Sequence, residues 1–242
     1  MTVETVVEKK IKWLHFPRVP SVGSSVRASA ASPAKELSRM IKSGLAVVVA
    51  CLAVWSSAMV PAIANDAAGT YKLDRAHGSL VWKVSHLGLS FYTARFDTFD
   101  ATLKIDPEKP AEAKLTVTVD AKSVNTGFPF PQSEDFDKKI AEDPKFLNAN
   151  EHPTITFVST GVEVTGDKTA KVTGDLTLLG VTKPVVMDVA LNGQIVHPFK
   201  KKPALGFSGS AKIKRSEFGL THLVGPVGDD VELLMEVEFI KE

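Results

Sequence analysis

The chain predicts an all-β fold, one antiparallel domain within residues 65–242, and three observations carry that prediction. Apolar and polar residues alternate with period two in many short runs, the pattern of strands that bury one face and wet the other. Only one segment, Glu134 to Leu147, has helical spacing, with Phe136 and Ile140 at i,i+4 and Pro144 placed to open a second short turn. No repeat, low-complexity tract or composition break divides the region.

Taken in chain order, Leu80, Trp82 and Val84 alternate with Val81, Lys83 and Ser85, and Leu115, Val117 and Val119 with Thr116, Thr118 and Asp120. β-rich runs follow at Thr154 to Val164 and Lys171 to Leu178, bounded by Gly, Pro, Asn or Asp. Val185, Met187, Val189 and Leu191 then share a face, and Gly206 to Lys214 forms a further run. The final strand is the clearest, with Leu233, Met235, Val237 and Phe239 opposed to Glu232, Leu234, Glu236 and Glu238. About eight strands are expected in all. So little helix cannot cover their apolar faces, which must meet each other as a sandwich or close around one axis as a barrel.

Residues 1–64 read as an N-terminal extension and signal peptide. Lys42 precedes an uncharged run from Ser43 to Ala64 that has an apolar heart at Leu45 to Trp55 and ends Pro61-Ala-Ile-Ala64. That order of charged, apolar and small-residue regions predicts cleavage after Ala64 and a mature chain of 178 residues. The alternatives are an uncleaved anchor over Gly44 to Val60 and, less in keeping with the short apolar stretch before it, a lipoprotein cleavage box at Cys51. Met40 stands where an ordinary signal peptide begins, which makes it a candidate translation start.

Cys51 is the sole cysteine, so residues 65–242 can form neither a disulfide nor a cysteine-based metal site. Eight of the 29 Lys/Arg but only three of the 28 Asp/Glu precede residue 65, so the domain carries a net charge of −4. A mildly acidic domain argues against a nucleic-acid partner. Gly206-Phe-Ser208-Gly-Ser210 imitates a nucleophile elbow, but its fifth residue is serine and its surroundings alternate as a strand. His77, His86, His152, His197 and His222 lack the close pairing of a metal site. The Glu232, Glu236 and Glu238 stripe reads as solvated. Lys200-Lys201-Lys202 reads as a solubilising loop or, in a sharper alternative, a contact for an anionic headgroup or membrane surface.

Tyr71-x-Leu73-Asp74-x-x-His77-Gly-Ser79-Leu-Val-Trp82-x-Val84-x-His86-Leu-Gly88-x-Ser90 resembles the opening signature of the YceI-like family of polyisoprenoid-binding proteins. Asp120-Ala-x-Ser123-Val124-x-Thr126, Pro153-Thr-Ile-Thr-Phe157, Gly174-Asp-Leu-Thr-x-Leu179-Gly-Val-Thr-Lys-Pro184, Arg215-x-x-Phe218-Gly219 and Gly228-Asp-Asp230-Val follow in order. Each motif is weak alone; their shared order and spacing from Gly69 to Glu242 are not. The resemblance implies a single eight-stranded, lipocalin-like antiparallel barrel with one or two short helices. It also implies a periplasmic binding protein whose lumen takes up an isoprenoid lipid or isoprenoid quinone, for transport or storage, without catalysis or cofactor.

Bulky residues on strands or at their mouths are then the candidate ligand-binding set: Trp82, His86, Phe91, Phe96, Phe99, Phe157, Met187, Phe207, Phe218 and Met235. His86 shares the face of Trp82 and Val84, where satisfying a backbone group is favoured over touching a headgroup. A filled core would present the same apolar faces; it would leave an interaction protein. An enzyme acting on the lipid is a third reading, with His86 its one starting point. Phe128-Pro-Phe130-Pro131 reads as a lid or entry rim, or as a loop cover over the barrel end. One stretch departs from the family: Asp137-Lys-Lys-Ile140 and Pro144-Lys-Phe146-Leu-Asn148 stand where relatives carry an Asp-x-His-Leu segment. The headgroup contact is the feature this change puts in question.

Overall fold

The computed structural model describes residues 67–242. The expected cleavage after Ala64, the anchor alternative, the box at Cys51 and the start at Met40 all lie outside the described residues. The strands are β1 (Gly69–Leu73), β2 (Ser79–His86), β3 (Ser90–Phe96), β4 (Phe99–Ile105), β5 (Lys114–Asp120), β6 (Val124–Asn125), β7 (Thr154–Gly166), β8 (Thr169–Leu178), β9 (Val181–Val196), β10 (Pro203–Lys214) and β11 (Val227–Lys241). One helix, α1 (Phe136–Glu142), joins β6 to β7.

Eleven segments make eight passes, because three passes are broken. β1 and β2 are halves of one pass: β1 pairs with β4 and with the end of β11, while β2 pairs with β3 and with the start of β11. β3 and β4 are likewise one bent pass, and β5 with β6 another, since β5 pairs with β4 and β6 with β3. β7 pairs with β5, from β8 to β11 each strand pairs with its predecessor, and every ladder is antiparallel. Tyr71↔Lys241, Lys72↔Ile240 and Leu73↔Phe239 join first pass to last, so the sheet closes as an eight-stranded barrel.

The breaks have local causes. Asp74 and Asp120 each cap a short 3-10 turn, their carboxylates accepting from the amides of Ala76 at 3.2 Å and Lys122 at 2.9 Å. Ser123 stitches two breaks together: its hydroxyl accepts from the Thr98 amide at 3.0 Å, and its carbonyl accepts from the Asp97 amide at 2.9 Å. At one barrel end, Leu179 and Gly180 turn β8 into β9 with φ of 51° and 73°, the two-residue turn whose twist suits a hairpin. α1 is too short to stand alone. Its first turn is held by Asp135, which accepts from the Lys138 amide at 2.9 Å, and Ala141 packs into the interior.

Inward faces form two apolar clusters stacked along the barrel. One holds Leu80, Phe96, Val119, Ile155, Leu176 and Phe218; the other holds Tyr71, Leu73, Leu103, Leu205 and Phe239.

Candidate functional site: an apolar lumen with one open end

The inward residues do not fill the barrel. A cavity of about 810 Å³ lies inside it, walled by strand residues of the predicted alternation: Leu80, Trp82 and Val84; Leu115, Val117 and Val119; Val185, Met187 and Val189; Leu233, Met235, Val237 and Phe239. Room is left because several inward positions are small. On β10 the inward series is Phe207, Gly209, Ala211 and Ile213, and Ala101 and Ala170 add two more short side chains. Gly209 lies between two methionines: a Cβ there would sit 3.4 Å from both Met187 Sδ and Met235 Cε.

The open end can be read from exposure. Among the lining residues only His86, Lys139, Lys145 and Leu223 are solvent-exposed, and all four sit where α1, the turn at Pro144–Leu147 and the loop after β10 approach the end of β2. At the opposite end the lining residues Leu103, Ala113 and Phe239 are buried and Ile105 and Pro110 half-buried, and none is exposed. The cavity is therefore a blind apolar tube with one mouth.

Polar groups gather at that mouth. Lys139, Lys145, Arg215, His86 and His222 line it with one acid, Asp143. The Lys139 ammonium lies 2.6 Å from Glu134 and 5.9 Å from the Phe136 ring centre. The His222 ring meets the Phe146 ring edge-on at 5.3 Å, tying the loop after β10 to the turn after α1. Arg215 is buried, and its guanidinium donates to the carbonyls of Gly228, Leu220, His222 and Val227 at 2.7–3.1 Å. Burial pulls its pKa below the usual arginine value, and nearby Asp229 opposes that shift. Asp229 is itself held below the ordinary carboxylate range, chiefly by the Ser216 amide donating at 2.9 Å. Arg215 thus acts mainly as an anchor for the loop behind the mouth.

An aromatic file leads from the surface inward. Phe130 meets Phe128 at 5.8 Å, Phe128 meets Phe136 at 5.1 Å, and Phe136 meets Tyr92 at 6.4 Å, with Trp82 a further 6.4 Å on. The Phe128-Pro-Phe130-Pro131 loop stands at the entrance side of the barrel.

Of the residues expected to touch ligand, Trp82, His86, Phe96, Phe99, Phe157, Met187, Phe207 and Met235 line the cavity. Two do not. Phe91 is 61% exposed on the outer face of β3, opposite Ser85, with the Lys83 ammonium 5.0 Å from its ring centre. Phe218, 1% exposed, packs into the core from the 3-10 turn after β10. Tyr92, Phe136, Lys139 and Lys145 line the mouth without having been expected to. Alternation could have found Tyr92, since it shares a face with Ala94 and Phe96, and the same parity places Phe91 outside. Lys139 and Lys145 come from the segment that departs from the family pattern, so lysines occupy the mouth beside the position where the resemblance led one to look for a histidine. Among the described residues no group of three or more His, Cys, Asp or Glu is arranged to hold a metal.

Comparison with known proteins agrees with this architecture. The model of the YceI-like domain matches residues 71–239. A UPF0312 protein of Pseudomonas aeruginosa is 39% identical over 177 residues, covering 72% of this chain and 88% of its own. The Campylobacter jejuni YCEI protein superposes with a TM-score of 0.57 at 31% identity, over 66% of this chain and 91% of its own. A polyisoprenoid binding domain from Saccharophagus degradans shares the fold at 16% identity, with a TM-score of 0.53 over 71% of this chain and 98% of its own. A closed eight-pass barrel, the ordered motifs and these matches lead to one conclusion: the chain belongs to the YceI-like family.

Proposed function

We propose that this protein is an exported binding protein that holds one long-chain polyisoprenoid, a quinone or a prenyl phosphate, in its lumen for transport or storage, without catalysing a reaction on it. The observation that carries the reading is the single-mouthed apolar cavity of about 810 Å³, within the range of ligand-binding pockets. Eight-stranded barrels are wide enough to hold one small ligand, and this one spends small side chains on its inner wall to do so. A filled core, the basis of the interaction-protein alternative, is at odds with that space.

Energetics favour a chain-like apolar guest. Each buried methylene is worth about 0.8 kcal/mol, so a few isoprene units offset the roughly 4–15 kcal/mol cost of association. The mouth is suited to a polar head, because its lysines and histidines can donate to a phosphate or to a quinone carbonyl. The binding activity in the name of the Saccharophagus degradans relative supports the same class of ligand. Export to the periplasm rests on the signal-like run from Lys42 to Ala64.

The test is a titration with prenyl lipids of increasing length against the wild type and an Ala211→Trp variant, whose indole would project into the lumen. Affinity should rise with chain length until the tube is full, and Ala211→Trp should weaken binding at least tenfold while the protein stays folded. Affinity independent of length, or an unaffected Ala211→Trp variant, would contradict binding in the lumen.

A further inference from the structure

The mouth is surrounded by an unusual surface. Leu87 and Leu89 at the β2–β3 turn, Phe130 in the loop before α1, and Leu223 and Val224 in the loop after β10 are 42–84% exposed. The loops adjoin: the Leu87 amide donates to the Pro226 carbonyl at 2.7 Å, and Leu223 itself lines the cavity. Three of the segments at this end, residues 86–91, 127–133 and 219–226, contain not one Asp, Glu, Lys or Arg, whereas the fourth, residues 134–147 with α1, carries charges of both signs beside them. At the blind end the connections at 106–112 and 167–168 carry both signs of charge, and 197–202 carries three lysines beside a single large exposed apolar residue, Phe199.

Backbone conformation adds an independent observation. Leu87 and Leu223 adopt φ of 56° and 57°, in the left-handed region that disfavours a leucine. Both side chains are about half exposed, so neither recovers that cost by burial within this fold. Asparagine or glycine would fit the same backbone more easily.

We propose that this rim inserts into the surface of a lipid bilayer, so that the mouth opens onto the hydrocarbon phase in which a long apolar cargo dissolves. Uncharged loops lose no ionic solvation on entering the interface, and their exposed leucines and phenylalanine then find the apolar surroundings they lack in water. Lys139 and Lys145, just inside the mouth, would stand at the depth of lipid phosphates. Insertion explains why the apolar rim and the open end coincide, and it rests on the lipid-binding reading above for its purpose. It also assigns the membrane-facing side to the opposite end from the Lys200–Lys202 loop, where Lys200 is engaged by Asp74 at 2.8 Å.

Flotation of the purified protein with vesicles of phosphatidylcholine and phosphatidylglycerol tests this, using Leu87→Asn, Leu89→Ser and Phe130→Ser, with Phe199→Ser at the blind end as control. The wild type and Phe199→Ser should float with the vesicles. Each rim variant should lose on the order of tenfold in partitioning, while Leu87→Asn unfolds at the same temperature as wild type or higher. A wild type that stays in solution, rim variants that float equally well, loss confined to Phe199→Ser, or a rim found buried in a dimer that those variants dissociate would overturn it. Cargo extracted from the same preparations separates the two readings: a lipid-loaded protein that ignores vesicles defeats docking alone, and an empty protein that docks but takes up no prenyl lipid defeats the lipid-binding reading alone.

Discussion

Two residue-scale features lead to predictions. Lys139 and Lys145 are the exposed cations at the mouth. If a phosphate headgroup sits there, changing both to glutamine should weaken a prenyl phosphate by about tenfold or more, as charge-assisted hydrogen bonds are lost, and change quinone binding far less. Parallel titrations read the contrast, and an equal loss for both lipids would place the headgroup elsewhere. Asp74 lies at the break between β1 and β2. The Lys200 ammonium, together with donors from His77 and the Ala76 amide, lowers its pKa from 3.8 to about 2. A carboxylate depressed in the folded state stabilises it above the unfolded pKa and ceases to do so as pH falls through the folded value. After allowance for solvent around half-exposed Lys200, the contribution is about 1 kcal/mol. Wild type should exceed Asp74→Asn by that margin at neutral pH and lose the advantage between about pH 4 and pH 2, as followed by urea unfolding across pH. A constant difference down to pH 2 would reject the assignment.

At the scale of elements, the clasp between α1 and Thr126, the residue that follows β6, matters most for access to the lumen. Asp137 accepts from both the amide and the hydroxyl of Thr126, holding a seven-residue helix across the mouth. Asp137→Ala leaves a buried amide without its partner, a local cost of about 1–3 kcal/mol. Amide exchange in α1 should accelerate at least several-fold, and bound lipid should leave faster, with little change in the barrel strands; unchanged exchange in α1 would show that packing alone holds it. This clasp was hidden in the sequence, because a single aspartate eleven residues from its threonine has no periodic signature. The strands were far more legible. β5, β7, β8, β9, β10 and β11 follow from alternation and turn residues, as does β2. β3 and β4 were harder, because the bend at Asp97 and Thr98 interrupts one pass and shifts the pattern partway along. The error at Phe91 came from choosing bulk over parity on that same strand.

For the whole molecule, the all-β class was readable because period-two patterning is a direct consequence of one buried face. The choice between sandwich and barrel was not: it depends on Tyr71↔Lys241 and its neighbours, a pairing between chain segments about 170 residues apart that no local pattern encodes. The cavity was equally invisible, since Leu233 or Met187 looks the same facing a ligand or another side chain; only the accumulation of Gly209, Ala211, Ala101 and Ala170 on the inner wall leaves the lumen unfilled. The ordered motifs supplied what periodicity lacked. Native mass spectrometry of the protein purified from its own cells, followed by solvent extraction, tests the central claim most directly. The account predicts one isoprenoid lipid per protein molecule, released with its headgroup identifiable; a protein that is reproducibly empty and takes up no added prenyl lipid would contradict it.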